Sequence, residues 1–393
     1  MKIIYSYQWN DRKEFDIRRG GRSDDPAVLM LQNQHYFSSV FENEINKKLK
    51  YETGIQYINI SNRNDNEATG RMPLIPHYNS NEPSVFFVIK NQKQDFLWEA
   101  GLRYSYLHRD VINISADYPR VLEYEEDRFH NFGLSSGFSY QWNKFFNSNF
   151  DIGMRYRSPE VNELYSFGVH QSVSSYEIGD KKLKTEKSIK AVMKNRLKLT
   201  NSLHLSNLTY LQAVNDFIYL QPSNDTVTIR GRYRVYRYMQ ADSYIYGFDT
   251  KVSFEPTKHI KFNSSFSIVR GYNREEDLFL VNIPADNLTN SVNFLFKNNA
   301  KFQNSQLSLF SKHVARQHRI SVEDGQDFYP PPKGYFTVGL KGETTFEVHK
   351  LRTNVYFSLE NALNRNYRDY LNRMRYFAND IGRNLTIGMS CEF

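Results

Sequence analysis

The sequence contains a single cysteine, Cys391, so no internal disulfide can form and stability must come from another source. Nowhere does it approach the ~20 consecutive apolar residues that a membrane-spanning helix needs, and its mean hydropathy is negative. A helical membrane protein is excluded. Gly (19) and Pro (12) are too sparse in 393 residues to mark a linker, so the chain reads as one architecture. Long Ala-, Leu- and Glu-rich helical runs are missing as well. There is no H-E-x-x-H, no cysteine-based metal spacing and no glycine-rich phosphate loop opening a helix. Gly133-Leu134-Ser135-Ser136-Gly137 satisfies G-x-S-x-G, but it falls where the pattern reads as mid-strand, and a nucleophile elbow needs a strand-to-helix turn. The net charge of +8 hides 51 Lys and Arg interleaved with 43 Asp and Glu, so Arg18, Arg19 and Arg22 read as lumen or loop residues rather than a nucleic-acid surface. The expectation is a protein that is no enzyme, holds no cofactor or metal and binds no nucleic acid.

What the chain has in quantity is aromatic residues, 28 Tyr and 29 Phe, which pack well on pleated surfaces. Between 129 and 143, Phe132, Leu134, Phe138, Tyr140 and Trp142 share one face of an extended strand, and Asn131, Gly133, Ser135, Gly137, Ser139 and Gln141 share the other. After a short polar stretch, Phe150, Ile152, Met154 and Tyr156 alternate with Asp151, Gly153, Arg155 and Arg157, which predicts a hairpin. The same alternation runs through 351–359 and 385–393. A soluble sandwich and a membrane barrel both produce it. The connections separate them. Short turns at 46–50, 91–94, 144–149, 255–259 and 342–345 alternate with long polar segments near 11–27, 62–83, 110–128, 157–187, 221–240, 272–287, 319–333 and 361–382. Short turns on one rim and long loops on the other mark a transmembrane antiparallel up-and-down β-barrel of roughly sixteen strands. Trp9, Trp98 and Trp142 fit an interfacial girdle.

Residues 156–186 carry more than a loop composition. Tyr156, Arg157, Ser158 and Pro159, then Asn162, Glu163, Leu164 and Tyr165, then Gly179, Asp180, Leu183, Lys184 and Glu186 follow one another in an order that resembles a signature loop of TonB-dependent outer-membrane receptors. YSYQWNDRKEFDIRRGGRSD (5–24), MPLIPHY (72–78) and the ending LENALNRNYRDYLNRMRYF with GRNLTIGMSCEF are similar to the same family, so the resemblance covers essentially the whole chain. It implies an all-β barrel in the outer membrane of a Gram-negative cell. It also implies uptake of a small nutrient, by default an iron chelate such as a siderophore or haem, and an aromatic C-terminal residue, Phe393, bound by the barrel assembly machinery.

The resemblance also sets expectations about extent. Family barrels have about twenty-two strands, so residues 1–393 read as the last sixteen of them, with plug domain and export signal outside this chain and contact with the TonB complex only through that plug. Residues 2–10 and 384–393 should then leave a gap or an irregular closure. A passive sixteen-stranded porin and a non-functional remnant are the alternatives. For capture, loop 157–187 should fold over the barrel mouth with Glu163, Tyr165, His170 and Tyr176 near the axis or near loop 361–382, whose Arg365, Tyr367, Arg368 and Tyr370 would complement Glu163 and Glu177. His170 lies between the motif runs, where haem-transporting members of the family carry a histidine, and imidazole is a normal haem ligand; a structural loop role is the other reading.

Overall fold

The computed structural model describes every residue except 16, 19–20, 23–25, 27, 65–72, 116–118, 120, 229–230, 300, 349–350 and 393, together with the backbone alone of 17–18, 21–22 and 347–348. Phe393 and Arg19 therefore lie outside the described residues, as do the side chains of Arg18 and Arg22.

Among the described residues one sheet holds nineteen strands, three of them short pieces at 167–170, 175–178 and 278–279. The other sixteen are β1 (Lys2–Glu14), β2 (Val28–Asn46), β3 (Leu49–Asn64), β4 (His77–Lys93), β5 (Phe96–Ile114), β6 (Leu122–Asn143), β7 (Phe146–Arg157) and β8 (Glu186–Lys198). They continue as β9 (Leu203–Thr228), β10 (Gly231–Thr257), β11 (Ile260–Asn273), β12 (Asn287–Leu295), β13 (Phe302–Val314), β14 (Tyr335–Val348), β15 (Leu351–Glu360) and β16 (Asn384–Glu392). Each pairs antiparallel with the next in sequence, so the expected meander is present.

The alternation sorts side chains as the sequence pattern predicts. Phe132 (46% exposed), Leu134 (57%), Phe138 (43%) and Ile152 (45%) stand on one exposed face and are not packed together in a core, the arrangement expected of a barrel's apolar outer face. Met154 shares that face but is half-buried between Leu134 and Ile189 of the adjoining strands. Tight turns close one rim. Asn46 Oδ1 accepts the Lys48 and Leu49 amides, and Asn143 Oδ1 those of Phe145 and Phe146, which saves the turn backbone from lacking partners. The turn expected at 342–345 is instead strand: Gly342–Thr345 are paired with Asn354–Phe357 inside β14 and β15, because β-branched Thr344 and Thr345 favour the pleat.

Another difference is the length of the paired strands at the long-loop rim. Segment 221–240, expected as a loop, belongs almost entirely to β9 and β10, which run 26 and 27 residues. A strand that projects into water has two polar faces, so it carries no alternation to read. At the sheet's ends, β1 pairs with β2 and β16 with β15, and no ladder joins β1 to β16 among the described residues. Twelve of the thirteen β1 residues, Lys2 to Lys13, are exposed, as befits an edge strand.

Candidate functional site

The segment between β7 and β8 opens with α1 (Val161–Tyr165), a single turn held by a capping box between Glu160 and Glu163. Val161, Leu164 and Tyr165 bury against Val111, Leu183 and Ile218, so the turn is pinned to the tops of β5 and β9. Glu163 faces Arg157, whose Nη1 and Nη2 donate to it at 2.9 and 3.2 Å while Nε donates to Glu186 at 2.5 Å. The Tyr165 hydroxyl donates to Asp127 at 2.7 Å; burial, and then the hydrogen bond to Asp127 and its charge, raise the pKa so that the phenol stays a neutral donor. Arg109, buried, holds the other Asp127 oxygen at 3.2 Å and the Pro159 carbonyl at 3.3 Å. Asn162 donates to the Tyr238 hydroxyl at 2.8 Å. Gly179 comes so close to the α1 backbone that a Cβ there would sit 2.6 Å from the Leu164 carbonyl carbon, and the Asp180 amide donates to the Glu163 carbonyl at 2.9 Å. The residues of the signature loop thus bind one another and the rim.

Beyond α1 the chain forms a hairpin of Phe167–His170 and Ser175–Ile178, and the second arm pairs parallel with Arg234–Arg237 of β10. His170 Nδ1 lies 2.8 Å from Glu177 Oε1, and Tyr176 packs edge-on against Phe167. Arg373, from the connection between β15 and β16, donates to Glu177 and to the Ser175 hydroxyl, both at 2.8 Å, and its guanidinium sits 4.6 Å over the Tyr236 ring. Burial raises the Glu177 pKa, but the His170 hydrogen bond and the Arg373 charge outweigh it and hold the carboxyl below the usual glutamate range. The two loops that meet here leave the sheet eight strands apart, so they must cross the mouth of the curled sheet to touch.

Loop 361–382 therefore does reach loop 157–187, through Arg373 rather than through the residues expected. Arg365 has an exposed guanidinium with no polar partner among the described residues. Arg368 donates to Asn379 and to the Arg375 carbonyl within its own loop, and Tyr367 stacks on Tyr335 with centroids 4.2 Å apart. Tyr370 is buried against Val281 and Ile320, which pushes its phenol up to about 12.

Two clusters here have no counterpart in the sequence motifs. Arg375 donates to buried Asp327 at 2.8 Å and to the Tyr376 hydroxyl at 2.6 Å, and Tyr376 also contacts Asp327. Arg234 lies within 4.1–5.4 Å of the ring centroids of Phe328, Tyr329, Tyr376 and Phe377, a four-ring cage in which cation–π attraction takes the place of an ion pair. The dense Arg-Tyr-Phe run at 365–377 is the only signal that could have pointed to them. Tyr329 and Phe377 keep more than half of their surface exposed, leaving aromatic faces for a ligand.

Among the described residues, His108, Asp110 and Glu126 are grouped with ligand atoms within 4.8 Å of one another. The carboxylates face opposite ring nitrogens of His108, at 3.5 and 3.3 Å, and Arg128 pairs with Glu126, so both acids already have neighbours as partners.

A family model described as TonB dependent receptor-like, beta-barrel matches residues 2–362. Among solved structures, the copper transporter OprC superimposes with a TM-score of 0.74 at 14% identity, over 98% of this chain and 61% of that one. The FrpB iron transporter from Neisseria meningitidis (F5-1 variant) gives 0.68 at 13% identity, over 98% and 60%, and the unliganded ferric citrate transporter FecA gives 0.64 at 14%, over 99% and 58%. At such identities the likeness is one of fold. The chain spans about three fifths of the length of each of these structures.

Proposed function

The chain belongs to the TonB-dependent receptor family, and from that premise we propose that it is the barrel portion of an outer-membrane receptor that takes up an iron chelate of the siderophore or haem class. The observation that carries the reading is the convergence of rim loops eight strands apart on the Arg373–Glu177–His170 joint, beside a cage with outward-facing Tyr329 and Phe377. A chelate of that size needs several convergent aromatic and charged groups, and one loop cannot supply them. Exposed Tyr329, Phe377 and Arg365 would stack on the ligand and donate charge-assisted hydrogen bonds. The signature residues Arg157, Glu163, Tyr165 and Gly179 brace the rim beneath, and His170 acts in the loop joint rather than as a haem ligand. A plug domain belonging to the same receptor would couple release to the TonB complex. A passive sixteen-stranded pore would need β1 to pair with β16, whereas each has a single ladder among the described residues. Titrating purified, plug-containing receptor with ferric siderophores and haem while following intrinsic fluorescence tests the assignment. The expected result is saturable quenching by one chelate class, weakened when Tyr329 and Phe377 are both replaced by Ala. Equal response of the variant and the parent would remove the loops from capture.

A further inference from the structure

We propose that the lumen wall of β5 to β8 carries an anion site, in which Arg103, Arg155 and Lys190 surround a bare floor and take a carboxylate- or phosphate-bearing group. The site deepens the uptake reading, since it lies below the loops on the face that a cargo would pass.

The geometry follows from register. Arg103 is opposite Gly133, Gly133 opposite Arg155 and Arg155 opposite Ser188; one step along, Gly101, Ser135, Gly153 and Lys190 form the adjacent row. With strands ~4.8 Å apart, Arg103 and Arg155 stand roughly 10 Å apart across Gly133, with no side chain between them. These residues border a cavity of about 1100 Å³. Gly133 is not required by the backbone, because its φ is outside the left-handed region, nor by packing, because a Cβ there would come no closer than 3.6 Å to its nearest neighbour, Arg103 Cβ. Its lack of a side chain keeps the floor open.

Arg103, Arg155 and Lys190 have no ion-pair partner among the described residues, and the acids Glu99 and Asp151 on the same face lie one row further along, beside Gly137. Arg157 is tied to Glu163 and Glu186, and Arg109 to Asp127. Arg103 instead is held at 2.7 Å by two neutral acceptors, Gln56 and the Ser84 hydroxyl, which fix the guanidinium without cancelling its charge. The exposed Arg155 guanidinium makes no polar contact among the described residues, and the Lys190 ammonium meets only the Tyr210 ring, at 5.0 Å. The carboxylates bordering the cavity are Glu82, which accepts from Ser105, and Glu160 of the α1 cap. Three cations bordering one walled cavity, Arg103 on its β3–β4 side and Arg155 and Lys190 on its β7–β8 side, raise the local concentration of anions and bind them by charge-assisted hydrogen bonds.

The test is calorimetric titration of the full chain in detergent micelles at low salt, with citrate as a free anion and an Asp-rich hexapeptide as a polypeptide-borne one. Arg155→Gln and Lys190→Gln remove charge, and Gly133→Val fills the floor without touching charge; far-UV circular dichroism and the heat-induced gel shift report folding. The proposal expects binding that falls about 10- to 100-fold in Arg155→Gln, the loss of one hydrogen bond to a charged group, and that falls in Gly133→Val as well. Citrate alone binding would assign the site to a small solute, and the peptide binding more tightly would assign it to a carboxylate of another polypeptide segment. Binding of neither probe, or binding equal in the parent and all three folded variants, overturns the site. Because binding is read on isolated protein, its failure is separable from a failure of cellular iron uptake.

Discussion

Replacing Asp327 by Asn should unlock the loops without unfolding the sheet. Asp327 and Arg375 are both buried, with side chains 1% and 6% exposed, and the aspartate accepts from Arg375 and Tyr376 and from the Phe328 amide. Removing the negative charge leaves a guanidinium stranded away from water, which costs about 3–5 kcal/mol for a broken buried pair. Since every 1.4 kcal/mol is tenfold, the open form of loops 315–334 and 361–383 should become roughly a hundred to a few thousand times more populated. Native-state hydrogen exchange reads this directly. The Arg375, Phe377 and Ala378 amides, which donate to Asn372, Met374 and Met374 carbonyls, should lose protection by that factor, while ladder amides of β5 and β6 keep theirs. The double replacement of Asp327 by Leu and Arg375 by Met should recover most of the protection, because neither charge is then left unpaired. Unchanged exchange in Asp327→Asn would show that this pair does not hold the loops. No recovery in the double variant would show that the aromatic cage needs the charge itself.

Gly179→Val should destabilise the rim by about 1–3 kcal/mol, as overpacking against the α1 backbone does, and lower the temperature of the heat-induced gel shift, with Gly133→Ala as the silent control. The joint at Glu177 should be pH-dependent with a definite sign. A carboxyl whose folded pKa is depressed contributes stability that is complete above its unfolded value, about 4.3, and is lost as pH falls through the folded one. Exchange of the Ser175–Ile178 amides should therefore stay slow from pH 7 to 5 and quicken below about 4.3, and Glu177→Gln should abolish that step. His170→Ala should leave the haem affinity and absorption spectrum of a plug-containing receptor unchanged, because His170 serves the joint with Glu177; a shifted spectrum would restore it as an axial ligand.

The meander, its sixteen long strands and the outward aromatics at 132–142 were legible because period-two alternation survives wherever one face meets lipid and the other water. The strand extensions of β9 and β10 were not, since beyond the membrane both faces are polar and 221–240 then reads as loop. The signature loop was found by its wording, yet that wording could not tell ligand contact from bracing. Glu163 and Tyr165 turn to Arg157 and Asp127, partners that only the fold brings within reach. Arg234 comes from β10, Asp327 from the connection before β14, and Arg373 and Arg375 from the connection before β16; none carries a motif, so nothing in one dimension sets them apart from other charges.

The uptake claim is tested most directly by the energy dependence of radiolabelled ferric-chelate accumulation in cells that produce the complete receptor and in cells that lack its gene. Saturable accumulation that requires the gene and stops when the proton gradient is collapsed is the predicted result. Accumulation that ignores the gradient and rises linearly with concentration for unrelated small solutes would contradict it, and would make the barrel a passive pore.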